Sequence, residues 1–185
     1  MAAYYLISQL PSLDGINDNA PLPISEERFV ELCCRFLGKK SQEVINRLTL
    51  SPSRAFVGSG SDFVDRINES ERNLRFALGN VRAEKMKKSF DAENRILPIE
   101  YLKVASAATE IENPMEAEKY LNRFRLEKLE TLRPMDNFSE DFIFYYGLKL
   151  KLLFRIRQFD TMTGEKAYKN IYGSILNGDG LEAKQ

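Results

Sequence analysis

Residues 113–132 read NPMEAEKYLNRFRLEKLETL, and this stretch carries the clearest helix start in the sequence. Asn113 can cap a helix, the proline after it is preorganised for the first helical position, and Glu116 follows at the spacing of a capping box. Leucine and phenylalanine then recur at helical spacing until Pro134 ends the run. The stretch therefore predicts an amphipathic helix.

The segments on either side of this helix show the same kind of pattern. Most of them combine a serine or an acidic residue, which favours a helix N-terminus, with apolar residues three and four positions apart. Gly38 is expected to end one of these helices, and Gly79 is expected to weaken another. The predicted helices begin near Ser25, Ser41, Ser61, Tyr101 and Ser139, and a last one spans Thr163 to Leu176.

These patterns predict an all-α, mainly helical fold, arranged as a compact multi-helix bundle. The apolar stretch at residues 4–10 fits either a short N-terminal strand or a turn of helix, because it is too short for its periodicity to decide. We expect a single helical domain over residues 1–185. Within it, an N-terminal lobe (1–60) and a long-helix lobe (61–178) share one core, and residues 179–185 form a frayed tail.

The composition excludes several classes of protein. The chain has 185 residues, with 27 Lys and Arg against 27 Asp and Glu, so the basic excess typical of a protein that coats nucleic acid is missing. The sequence contains no histidine, which excludes imidazole bases and histidine metal sites, and no tryptophan. No segment is long and apolar enough to cross a membrane, and no signal-peptide pattern opens the chain, so we expect a cytoplasmic protein.

Three short motifs carry weak hints of chemistry. Gly58-Ser59-Gly60 lacks the rest of a phosphate loop, and we interpret it as a structural loop. The adjacent Cys33 and Cys34 do not form a CxxC ligand pair, and we expect them to pack in the core. Four glutamates crowd one turn, where solvated side chains are the simplest interpretation. They are Glu110, Glu112, Glu116 and Glu118. We therefore expect no catalytic residue, no cofactor and no metal ligand.

The basic side chains of the predicted helices are the candidate binding residues. Several of them follow one another in the most apolar helix. There they either face an acidic partner or extend their stems along the edge of the core towards water, and both alternatives stay open. The expected partner contacts are Arg72, Arg75, Arg123, Arg125, Lys149, Lys151, Arg155 and Arg157.

Three stretches of the chain resemble known sequences. Residues 112–123, ENPMEAEKYLNR, are similar to the "NPLEAE…LDR" helix start that is repeated in the C-type subunits of V-type and archaeal-type ATPases (d-type in the eukaryotic enzymes), although Asn122 stands where that family more often has Asp. Residues 142–159, followed by the GEKAY of residues 164–168, are similar in layout to that family's next long helix. The opening YYLISQLPSL, residues 4–13, resembles the start of an uncharacterised bacterial family encoded beside V-type ATPase subunits.

This resemblance implies a non-catalytic subunit of a rotary ATPase, with the rotor ring and the central shaft subunits as its partners. Members of the C-type family are funnel-like helical proteins that seat on the membrane rotor ring and receive the shaft, and the present chain is much shorter than that family usually is. The implied protein binds no nucleic acid and contacts the cytoplasmic membrane only through the complex. Two alternatives remain: a free-standing cytoplasmic helical adaptor that binds another protein, and an enzyme that uses carboxylates with a bound divalent ion.

Overall fold

Seven α-helices follow one another along the part of the chain that the structure describes. In this computed structural model the described residues are 2–15, 21–90, 96–158, 164 and 168–173. The helices are α1 (Ala2–Gln9), α2 (Glu26–Phe36), α3 (Lys39–Arg47), α4 (Asp62–Lys85), α5 (Ile99–Glu110), α6 (Pro114–Thr131) and α7 (Glu140–Gln158). Residues 168–173 are helical as well, and none of the described residues lies in a strand. The predicted all-α fold is confirmed, and the N-terminal apolar stretch forms α1 rather than a strand.

Side-chain caps begin four of these helices at the predicted residues, and at the fourth, α7, the Ser139 hydroxyl accepts from a first-turn amide at 3.2 Å. The Ser25 and Ser61 hydroxyls accept hydrogen bonds from backbone amides in the first turns of α2 and α4, at 3.2 and 3.3 Å. The Asn113 side chain accepts from a first-turn amide of α6 at 3.0 Å, and Pro114 occupies the first position of that helix. Each cap satisfies an N–H group that the helix itself leaves without a partner. The local sequence therefore determines where α2, α4 and α6 start.

Gly38 differs from its expected role, whereas Gly79 lies inside a helix as expected. Gly38 is the N-cap of α3 rather than the end of α2, and α3 begins two residues before Ser41. The buried Ser41 hydroxyl instead donates to Glu140 Oε2 at 2.7 Å, which joins α3 to the start of α7. Gly79 lies inside the continuous α4, where a Cβ atom would stand 2.5 Å from Cζ of Phe90. A side chain at Gly79 would therefore displace the Phe90 ring.

The buried apolar side chains form two clusters. The larger cluster combines α1, α2, α3 and α7 with the first turn of α4 and the last turn of α6, and it includes Leu6, Phe29 and Phe63. The smaller cluster combines the second half of α4 with α5 and α6, and it includes Leu74 and Tyr101. Helix α4 contributes to both clusters, because it is long enough to extend from one to the other.

Gly147 lies at the centre of α7, where that helix meets α2 and the end of α3. A Cβ atom at this position would stand 2.9 Å from Cε1 of Phe29 and 3.0 Å from Cδ1 of Leu48. Those distances are shorter than a carbon–carbon contact allows. Glycine inside a helix costs about 1 kcal/mol relative to alanine, and here that cost is offset by the close approach of two core side chains.

The larger cluster joins residues on both sides of residue 60, from Leu6 to Leu150. The last predicted helix is described in part, and residues 164 and 168–173 are helical. The predicted frayed tail at residues 179–185 lies outside the described residues, as does the predicted end of that helix at Leu176.

Candidate partner-binding surface

Glu71 organises the polar contact between α4 and α6. Its carboxylate accepts hydrogen bonds from Arg125, whose Nε lies 2.9 Å from Oε2 and whose Nη2 lies 3.3 Å from Oε1. Arg75, one turn further along α4, donates its Nε to the same Oε1 at 3.1 Å. The Glu71 and Arg125 side chains are only 10 and 12% exposed. Arg125, one of the predicted contact residues, therefore joins α6 to α4, whereas Arg75, another of them, pairs within α4 and donates to the backbone of the preceding loop.

Glu118 makes the corresponding contact between α6 and α7. Arg155 Nη2 donates to its Oε1 at 2.6 Å, and Arg125 Nη1 reaches the same oxygen at 3.4 Å. Arg125 Nη1 also donates to the buried Asn122 at 3.0 Å. The expectation that Glu118 is solvated is wrong, because its carboxylate pairs with two arginines at the contact between α6 and α7. Glu110, Glu112 and Glu116 are exposed as expected.

Lys149 is buried inside the contact between α7 and the N-terminal segment. Its Nζ lies 2.5 Å from an oxygen of Asp14, 2.7 Å from an oxygen of Glu130 and 3.2 Å from the Tyr145 hydroxyl. Burial lowers the pKa of Lys149, but these three hydrogen bonds outweigh burial and raise the pKa above its ordinary value. Lys149 is therefore a protonated internal cation, already paired within the chain.

The Lys149 hydrogen bond holds the pKa of Asp14 below its ordinary value of 3.8. A carboxyl group whose pKa is lower in the folded state contributes stability above its unfolded pKa, and that contribution is lost as the pH falls through the folded pKa. We expect Asp14→Asn to lower the free energy of unfolding at neutral pH by less than about 1 kcal/mol, because Asp14 is largely exposed. The measurement is urea unfolding at a series of pH values from neutral downwards, and the difference between wild type and variant should shrink as the pH falls below 3.8 and through the folded pKa of Asp14. Glu43→Gln, at an exposed position of α3, is the control and should leave the stability unchanged at each of these pH values.

The remaining predicted contact residues differ in their surroundings. Lys151 donates to Glu26 at 2.7 Å, and Arg157 is half-buried near the end of α7. Arg72 does not lie on the exposed face where the sequence places it, since its side chain is only 3% exposed and its Nε donates to Glu69 at 3.0 Å. Arg123 is exposed and makes no ion pair with the described residues.

Arg123 borders a groove between the outer face of α6 and the C-terminal part of α7, which we call the α6 groove. Its volume is about 610 Å³, and it is lined by Ile111, Glu116, Lys119, Tyr120, Asn122, Arg123, Leu126 and Ile156. Lys119 and Glu116 pair across one turn at 2.8 Å, with more than half of each side chain exposed. The groove therefore combines apolar side chains with charges of both signs, a composition suited to a protein partner.

Sequence reasoning identified Arg123 but missed Lys119 and Tyr120. Both residues precede Arg123 by one turn of α6, at the i−4 and i−3 positions, so helical periodicity could have placed all three on one face. A second exposed group was also missed. The Tyr4 and Phe138 rings lie 5.2 Å apart, with Tyr5 beside Tyr4, and all three are more than half exposed. No spacing rule connects positions so distant in the sequence.

The weak chemical motifs have structural explanations. The Ser59 amide donates to Asp65 at 2.8 Å, so a carboxylate already occupies the loop that a phosphate would need. Cys33 is buried as expected, and burial together with the adjacent Cys34 raises its pKa to about 12. Cys34 is exposed, so its expected place in the core is wrong. Among the described residues, no three His, Cys, Asp or Glu side chains are grouped to hold a metal ion. None of the helices in the described ranges has the length and apolarity needed to span a membrane.

Comparison with known proteins gives one family match. Residues 90–179 match the family model described as "Protein of unknown function (DUF2764)". No curated protein and no solved structure matches this chain. The matched range contains α5, α6 and α7 and all of the described residues that line the α6 groove, whereas α1–α4 precede it.

Proposed function

We propose that this protein is a non-catalytic subunit of a V-type rotary ATPase, which links or stabilises the central shaft on the membrane rotor ring. The observation that supports this proposal is the position of the stretch that resembles the C-type family. Residues 112–123 of that stretch form the start of α6, and they supply most of the lining of the α6 groove. The same residues thus carry both the resemblance and a surface suited to a partner.

The α6 groove is the surface through which we expect the shaft or ring subunits to bind. Arg123 is exposed and has no carboxylate partner within the described chain. An acidic side chain of another protein in the complex would form an ion pair with it. Lys119 lies one turn away and is half exposed. In this proposal the protein reaches the cytoplasmic membrane through the complex and binds no cofactor.

The test is affinity purification of the tagged protein from gently solubilised native membranes. The proposal predicts that shaft and rotor-ring subunits are recovered with it in a fixed ratio. Arg123→Glu should abolish that recovery, because it places a like charge opposite the acidic partner group. Arg66→Glu is the matched control, since Arg66 is also exposed but lies on α4, outside the groove. It should leave the recovery intact.

Two other results would change the interpretation. Recovery of the protein alone would contradict the ATPase role and favour the helical adaptor. Recovery with unrelated partners that remain bound after Arg66→Glu would lead to the same conclusion. Full recovery of the ATPase subunits with Arg123→Glu would keep the ATPase role and exclude the α6 groove as the contact surface.

A further inference from the structure

Residues 168–172, which read YKNIY, form a helical segment whose residues are all exposed. We call it the tyrosine segment. Tyr168 is 66% exposed and Tyr172 is 52% exposed, although their rings stack on each other with 5.8 Å between the centroids. The segment therefore presents two large aromatic side chains to water.

The apolar side chains of this segment share one helix face. Tyr168, Ile171 and Tyr172 stand three and four positions apart, and the sequence continues this spacing with Ile175 and Leu176. A short helix is only marginally stable in water, and packing of its apolar face supplies most of its stability in a protein. An amphipathic helix with anchors at this spacing typically binds in an apolar groove.

The α6 groove lies where the chain leaves α7. Ile156 lines the groove, and α7 ends two residues later at Gln158. The next described residue is Gly164, which is helical and six positions further on, and six extended residues span at most about 20 Å. The groove follows α6 from Glu116 to Leu126, a rise of about 15 Å. The tyrosine segment is therefore tethered within reach of the groove of its own chain.

The lining of the groove is suited to tyrosine side chains. Lys119 and Arg123 are exposed there and can donate hydrogen bonds to tyrosine hydroxyls whose rings lie against apolar side chains. The volume of about 610 Å³ is within the range of pockets that hold ligands larger than one aromatic side chain. The apolar lining residues are Ile111, Tyr120, Leu126 and Ile156.

We propose that the tyrosine segment docks in the α6 groove of its own chain and competes there with the partner protein. This inference rests on the proposed function in one respect, since it takes the α6 groove as the partner surface. A segment tethered this closely has an effective concentration on the order of 1 mM, which favours it over the same segment of a dilute second copy. The arrangement with exposed tyrosines is then the open one. A partner binds only this open form, so its apparent affinity falls with the fraction of molecules that are open.

The experiment places a fluorescent reporter in the groove. The chain contains no tryptophan, so Tyr120→Trp gives a single reporter among the lining residues. Quenching of its emission by acrylamide is measured on the isolated protein. Adding Tyr168→Ser together with Tyr172→Ser should raise the quenching constant by about twofold or more, because the docked population that shields the reporter is lost.

The matched control removes two other exposed tyrosines. Tyr4→Ser together with Tyr5→Ser, in the Tyr120→Trp background, changes residues of α1 that are 55 and 59% exposed and lie outside the groove. This pair should leave the quenching constant unchanged. Both pairs of substitutions are at exposed positions, so neither removes a side chain from the core.

Shielding of the reporter that does not depend on protein concentration, in a protein of monomeric mass by light scattering, supports the proposal. An unchanged quenching constant after Tyr168→Ser and Tyr172→Ser would overturn it. Shielding that increases with protein concentration together with a doubled mass would also overturn it, since a second copy would then occupy the groove. All of these measurements use the isolated protein, so a negative result leaves the ATPase role untouched, and loss of the ATPase role leaves the quenching result untouched.

Discussion

Replacement of Phe63 by alanine is expected to lower the free energy of unfolding by about 3–5 kcal/mol. Phe63 is fully buried in the larger cluster, on the first turn of α4. Alanine would remove the apolar surface of the ring and leave a cavity that the surrounding helices fill only in part. A loss of this size is a large fraction of the total stability of an ordinary domain.

The measurement is equilibrium urea unfolding followed by circular dichroism. Phe138→Ala is the matched control, because its ring is 56% exposed and the substitution is chemically identical. We expect the control to change the stability by no more than about 0.5 kcal/mol. Equal losses for both variants would contradict the assigned packing of α4 in the larger cluster.

Replacement of Glu71 by alanine is expected to lower the free energy of unfolding by about 2–4 kcal/mol, because it removes the carboxylate that pairs with two arginines. Removing one partner of a buried ion pair leaves a buried charge without compensation, which typically costs about 3–5 kcal/mol. The lower range applies here for two reasons. Arg75 is 41% exposed and can be hydrated, and Arg125 keeps its hydrogen bonds to Glu118 and Asn122. The reduced stability should be accompanied by loosening of α6 from α4, measurable as faster amide hydrogen exchange in α6.

Glu116→Ala is the control for Glu71→Ala. Glu116 also pairs with a basic residue of its own helix, but both partners are more than half exposed. An exposed pair of this kind contributes less than about 1 kcal/mol. If the two substitutions cost the same, the Glu71 network does not hold the helices together as described.

Much of the helical structure could be predicted because it depends on local sequence. The caps at Ser25, Ser61 and Asn113 involve residues two or three positions apart, so each of these helix starts can be read from a few letters. Gly147 illustrates the opposite case. Its role depends on side chains from α2 and the end of α3, and periodicity within α7 contains no information about which helices pack against it.

The candidate site also combines features that local sequence predicts with features that depend on how the helices pack. Helical spacing correctly places Arg123 on an outer face, but it places Arg72 there too, although Arg72 is buried. The Lys149 pair with Asp14 connects residues 135 positions apart. A basic residue on a helix face can pair with a distant carboxylate of its own chain or with a partner, and only the packing of the helices decides between them.

The length of α4 determines how this helix transmits a mechanical load. It contains 24 residues and is therefore about 36 Å long, and its two ends are fixed in different apolar clusters. The position at which such a rod would bend most easily is Gly79, and the Phe90 ring fills the space beside it. A load applied to α5 and α6 would therefore reach the larger cluster by two routes, along α4 and through the direct contact of α6 with α7.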